Sequence, residues 1–154
     1  MVSIKRALLG VVSIAAVSFG FAQVGFVDVH TNIHNDNVSY KLKAGKNGKP
    51  GQIQMSFQAF TTYFNATIFT PKEILKAKAT GSFSIYLSND SELSPADQLL
   101  LTKKFNVKMV KPKLTKIKLN LTEADNGKYV LIITDSPQDQ YFSNDTVVHR
   151  INTL

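Results

Sequence analysis

The chain has 154 residues, a formal net charge of +7 and no cysteine. That length suits one domain able to bury its own core. The missing cysteine excludes a disulfide framework, a thiolate metal site and a Cys nucleophile, so stability has to come from packing and sheet hydrogen bonds.

At the start of the chain, Lys5 and Arg6 precede an apolar run over residues 7–22 that contains Leu8, Leu9, Val11, Val12, Ile14 and Phe19. This is the layout of a secretory signal peptide. As a helix the run rises only about 24 Å, short of the roughly 30 Å hydrocarbon core, and no basic stop-transfer cluster follows it. Gly20 and Ala22 suit cleavage before Gln23. Residues 23–154 would then form one secreted domain, periplasmic or extracellular, that meets the membrane only in transit; a retained anchor is the alternative. Cleavage removes Lys5 and Arg6 and lowers the net charge from +7 to +5, because every acidic residue lies beyond residue 22.

Beyond the leader, short alternating runs are separated by turn residues, the pattern of an all-β sandwich. Residues 24–29 read as a first strand, and residues 31–37 as a polar, Asn-rich hinge. Val38, Tyr40 and Leu42 alternate with Ser39, Lys41 and Lys43 in a second strand. Residues 44–51, with three glycines and a proline, form a hairpin loop. The next strand is the cleanest: Ile53, Met55, Phe57 and Ala59 point inward and Gln52, Gln54, Ser56 and Gln58 outward. It continues over residues 61–69 with Phe64, Ala66 and Ile68 in phase. Thr70, Pro71 and Glu73 are a helix-start signal that predicts one short helix over 71–79.

In the strand that follows, Phe83, Ile85 and Leu87 fall on one face and Ser82, Ser84 and Tyr86 on the other. An acidic loop succeeds it, with Asn89, Asp90, Glu92 and Asp97, and residues 94–97 suit a single helical turn. Later strands are predicted over 104–109, 114–121, 128–134 and 146–151, with a turn over 122–127. Residues 128–134 carry apolar side chains on both faces, which marks a central strand. Ile53, Met55, Phe57, Phe83, Ile85 and Leu131 are the predicted core.

Two stretches carry a family likeness. Tyr86, Leu87 and Ser88, followed by Asp90, Leu93 and Asp97, and later Gly127, Tyr129 and Asp135, resemble the pattern of CARDB, the cell-adhesion-related domain found in bacteria. The likeness covers residues 40–151. Near its end Asn144 matches one of the family's paired asparagines, Asp145 replaces the other, and the family's glutamates are missing. The resemblance implies a secreted, immunoglobulin-like β-sandwich of about seven to nine strands, and names neither a reaction nor a ligand.

Each candidate site has a plain structural reading beside it. Asn89, Asp90, Glu92 and Asp97 supply hard oxygen ligands of the kind calcium takes, and make the loop a candidate ligand or calcium site; the same residue types also cap turns, with Asp90 in an Asx-turn and Asp97 at the start of a helical turn. His30, His34 and His149 could approach one another if the first and last strands pair, but His30 and His34, four apart, share a face only on a helix, and residues 29–37 have no helical pattern, so no zinc site is expected. No cofactor other than calcium is suggested. Five N-x-S/T triplets start at Asn37, Asn65, Asn89, Asn120 and Asn144, against about two expected by chance. They mark glycosylation sites only where the host has the machinery, and otherwise Asn-rich turns. No nucleophile elbow, phosphate loop or paired catalytic carboxylates appear, so the chain reads as non-catalytic.

Seven lysines fall between Lys103 and Lys118. They read as a basic edge that blocks edge-to-edge pairing or attracts an anionic polysaccharide or lipid; without interleaved aromatics they do not suggest nucleic acid. The expected function is a secreted adhesion, binding or assembly module whose partner is a protein or polysaccharide of the cell envelope. The alternative is a self-associating filament or pilus-like subunit that exchanges its N-terminal strand with a neighbour.

Overall fold

The structure, a computed structural model, describes residues 27–65, 77–108 and 111–153, with side chains of residues 64 and 65 excepted. The leader, the helix start at residues 70–73 and the side chain of the sequon residue Asn65 therefore lie outside the described residues. Among the described residues, two antiparallel sheets pack together as an all-β sandwich of eight strands.

The first sheet is built on β3 (Gln52–Asn65). β1 (Val27–Ile33) and β2 (Ser39–Lys43) lie end to end along one side of it, and β6 (Lys113–Thr122) runs along the other. A 3-10 turn at Asn35–Asn37 separates β1 from β2. The second sheet has the order β5 (Gln98–Lys108), β4 (Lys78–Ser88), β7 (Tyr129–Asp135), β8 (Thr146–Arg150). β5 and β6 are thus edge strands, and they carry six of the seven clustered lysines, with Lys111 between them.

The core lies between the sheets. Ile53, Met55, Phe57, Ala59, Phe83 and Ile85 are buried there with Val130, Ile132 and Ile151. The outward residues Gln52, Gln54, Ser56 and Gln58 keep contact with solvent, as strand alternation requires. The β2–β3 loop turns at Asn47 and Gly48, with φ of 54° and 75°, and Lys49 N–H donates to Lys46 O at 3.1 Å. Two consecutive positive φ values are the requirement of the type I′ turn, which Asn-Gly meets with little strain. In β4, a Cβ at Gly81 would collide with the Asp135 carbonyl. Glycine is therefore what lets β4 and β7 approach there.

Several expectations are corrected. The first strand runs on to Ile33, so residues 31–33 are ladder rather than hinge, and Thr31 is fully buried. In β3 the buried positions beyond Ala59 are Thr61 and Tyr63, while the side chains of Phe64, Ala66 and Ile68, expected in phase, lie outside the described residues. Thr31 and Thr61 share a hydrogen bond between their hydroxyls at 3.1 Å inside the core, and that satisfied pair let the odd phase continue through a polar residue. Of the helix expected over 71–79, Lys78 and Ala79 belong to β4, where Ala79 pairs with Val107 and is fully buried; residues 71–76 lie outside the described residues. β5 begins at Gln98, six residues before the strand expected at 104, because Leu99 to Leu101 pair with β4 across a register shift at Ile85/Tyr86.

Candidate functional site

The acidic loop between β4 and β5 turns its carboxylates onto its own backbone. Asp90 Oδ1 accepts the Glu92 N–H at 2.9 Å, the expected Asx-turn, while the Asp90 N–H donates to Ser88 Oγ at 3.2 Å. Asp97 does not open a helical turn. It closes a β-turn: its N–H donates to Ser94 O at 3.2 Å and its Oδ2 accepts the Ser94 N–H at 2.7 Å. The chain enters β5 at the next residue, so no helix has room to grow. The Ser94 N–H holds the Asp97 carboxyl below the usual carboxylate range. Asn89 and Glu92 are exposed on the same loop. Among the described residues, no three His, Asp or Glu side chains gather as a metal-ligand set.

The three histidines go to separate places. His30 Nδ1 lies 3.1 Å from Asp28 Oδ1 and its Nε2 3.2 Å from Thr62 Oγ1. The order carboxylate, imidazole, hydroxyl is that of a nucleophile relay, but Thr62 sits inside the paired strand β3, not on a sharp turn that thrusts a hydroxyl out of the fold. His149 accepts from or donates to Tyr40 Oη at 2.9 Å and meets Asn35 Oδ1 at 3.0 Å. Neutral imidazole fits both if Nδ1–H donates to Asn35 and Nε2 accepts from Tyr40. Burial lowers the His149 pKa, and burial raises that of Tyr40 against a weaker opposing bond from the Asn152 N–H. His34 stands edge-on to Phe60 at 4.9 Å.

The outer edge of β1 is held by Thr134 of β7 and by residues 136–145, a segment without periodic signal. Val27 N–H donates to Gln140 Oε1 at 3.0 Å, Val29 N–H to Asp139 Oδ1 at 2.9 Å and Thr31 N–H to Thr134 Oγ1 at 3.1 Å. Gln140 N–H returns a bond to Val27 O at 2.8 Å. Side chains therefore stand where a neighbouring strand would otherwise pair. Asn144 belongs to this clamp: its Nδ2 donates to both carboxylate oxygens of Asp28 at 3.1 and 3.2 Å. Of the other described sequons, Asn37, Asn89 and Asn120 are exposed, and Asn120 Oδ1 accepts from Gln54 Nε2 at 3.1 Å.

The outer face of the β2–β3–β6 part of the first sheet is polar and basic. Register places Lys116 opposite Gln58, Lys118 opposite Ser56 and Asn120 opposite Gln54 on one side of β3, and Lys41 and Lys43 opposite Gln54 and Gln52 on the other. Lys41, Lys43, Lys116 and Lys118 are exposed, and β2, β3 and β6 contain no acidic residue. A shallow groove crosses this face beside the 3-10 turn, lined by Asn37, Ser39, Gln58, Lys116 and Lys118 among others. Sequence reasoning found the lysines of β6 but treated them as one edge with those of β5. The period-2 pattern of β3, with amides on its outer side, was the signal that could have joined Lys116 and Lys118 to Lys41 and Lys43.

No family model matches the chain, and neither the curated proteins nor the solved structures contain a match to it.

Proposed function

We propose that the chain is a non-catalytic β-sandwich module that is exported and acts by binding at the cell envelope. The observation that carries the reading is the outer face of the β2–β3–β6 sheet, an open surface of amides flanked by exposed lysines. The Asp, Asn and His side chains elsewhere are largely engaged in turns and edge contacts. The leader-like residues 5–22 and the CARDB-like residues of β4 and β7 support secretion and an adhesion role. A filament subunit that exchanges its first strand is the alternative. β1 pairing with β3 of its own chain, its outer N–H groups met by Thr134, Asp139 and Gln140, favours the self-contained module.

Export tests the reading. Expressed in its own host, the protein should be recovered outside the cytoplasm with Gln23 as its first residue, as determined by N-terminal sequencing of the fractionated material. An uncleaved chain confined to the cytoplasm would contradict it.

A further inference from the structure

We infer that the outer face of the β2–β3–β6 sheet binds a linear carboxylated polysaccharide, an inference that rests on the reading of the chain as an envelope-binding module. Neighbouring strands lie about 4.8 Å apart and same-face residues recur about every 6.8 Å along a strand. Lys41 and Lys43 on β2 and Lys116 and Lys118 on β6 therefore stand on two rims roughly 10 Å apart across β3, offset along it so that the first pair flanks Gln54 and Gln52 and the second Gln58 and Ser56, a diagonal of positive charge. The floor is Gln52, Gln54, Ser56 and Gln58, neutral groups that both donate and accept. One floor amide is already oriented, since Gln54 Nε2 donates to Asn120 Oδ1 at 3.1 Å.

This combination selects among polyanions. Two cationic rims attract a chain with repeated negative charge, and a floor of amides and hydroxyls matches the hydroxyls of a sugar between those charges. β2, β3 and β6 hold no acidic residue; Asp36 stands in the 3-10 turn before β2 and Glu123 in the one after β6, beside Gly51. At the end toward β1 the face turns apolar: Phe60, half-buried with His34 edge-on at 4.9 Å, pairs with Leu114, which is 52 % exposed. One ring and one leucine make a seat for the apolar face of a single sugar. A single-stranded nucleic acid would call for a row of aromatic rings on which successive bases stack, and a membrane surface for apolar side chains spread along the whole face.

The test is binding of the full mature chain to oligogalacturonate of defined length, measured by calorimetry. The same oligomer after methyl esterification, single-stranded DNA and phosphatidylglycerol vesicles serve as the other arms. Oligogalacturonate should bind, more weakly as salt rises, and esterification should weaken it at least tenfold. The double variant Lys116→Gln, Lys118→Gln should lose about tenfold, the sum of two exposed charge contacts, and Phe60→Ala should weaken binding as well. Lys103→Gln with Lys104→Gln on β5 should leave affinity unchanged. All these positions but Phe60 are exposed, and a second variant, Lys41→Gln with Lys43→Gln, repeats the test from the other rim if the first melts early. Absent binding, binding indifferent to esterification or to both rim variants, or tighter binding to DNA or vesicles would overturn the inference. An exported, cleaved protein that ignores oligogalacturonate defeats this inference alone; a cytoplasmic, uncleaved one defeats the module reading itself.

Discussion

The two sheets expose outer faces of opposite character, although both are made by the same alternation of side chains. On the first sheet the outward row is lysine, glutamine and serine. On the second, register lines up Leu99, Tyr86, Leu131 and Val148 across β5, β4, β7 and β8. Leu131 is 0 % exposed even though it points away from the sandwich core, while its flanks Leu99 and Val148 are 53 % and 42 % exposed. Tyr86 and Val148 lie opposite it, Tyr129 and Ile133 two residues along, and the Arg150 guanidinium stands 5.9 Å from the Tyr129 ring centroid. The second sheet thus closes over its own central strand with large side chains. The first leaves its lysines, glutamines and serine in contact with water.

The sharpest way to break this comparison is to test which faces carry stability. Phe83→Ala, inside the sandwich and fully buried, should cost about 3 to 5 kcal/mol, whereas Gln54→Ala on the open face should stay within about 0.5 kcal/mol in a denaturant melt. Comparable losses at both would mean that the strand phase is wrong. Leu131→Ala comes next, at about 2 to 5 kcal/mol, against less than about 1 kcal/mol for Val148→Ala in the same outer row. A silent Leu131→Ala would show the second face to be as open as the first.

Much of this was legible in the sequence. The outward amides of β3 and the two-sided apolar run of β7 gave the phase and the central position, because burial on one or both faces is written directly as period 2 or its absence. Thr61 broke the reading of β3, since a threonine whose hydroxyl is satisfied by Thr31 is as buried as a valine. The start of β5 was hidden by three consecutive leucines, Leu99 to Leu101, which straddle a register shift instead of alternating. Residues 136–145 carried no periodicity. Their work is side chain to backbone bonding with β1, more than 100 residues away in sequence, and that leaves no local periodicity. The candidate face was half visible: its lysines could be counted, but only the pairing of β2 and β6 on either side of β3 shows that they share a surface.

A smaller effect sharpens the account of the first sheet's end. Asp125 Oδ2 accepts from the Thr122 N–H and hydroxyl, both at 2.8 Å, and Oδ1 meets Lys128 Nζ at 2.7 Å. Burial pushes the Asp125 carboxyl up, but the Lys128 ammonium and the two Thr122 donors outweigh it and hold the group below its ordinary value. Because the folded value is the lower one, the stabilisation is present above about pH 4, the unfolded carboxylate range, and is lost as pH falls through the folded value. Asp125→Ala should cost about 1 kcal/mol at pH 7, and that difference from the parent should shrink in melts below pH 4. A difference that stays constant into acid would detach Asp125 from the turn after β6.

The contrast between the two faces is tested most directly by an amide-resolved NMR titration of the mature chain with oligogalacturonate. Shift changes should gather on Lys41, Gln54, Ser56, Gln58, Lys116 and Lys118, with Tyr86, Tyr129 and Val148 unmoved. Changes centred on the second sheet, or on the loop from Asn89 to Asp97, would contradict the account.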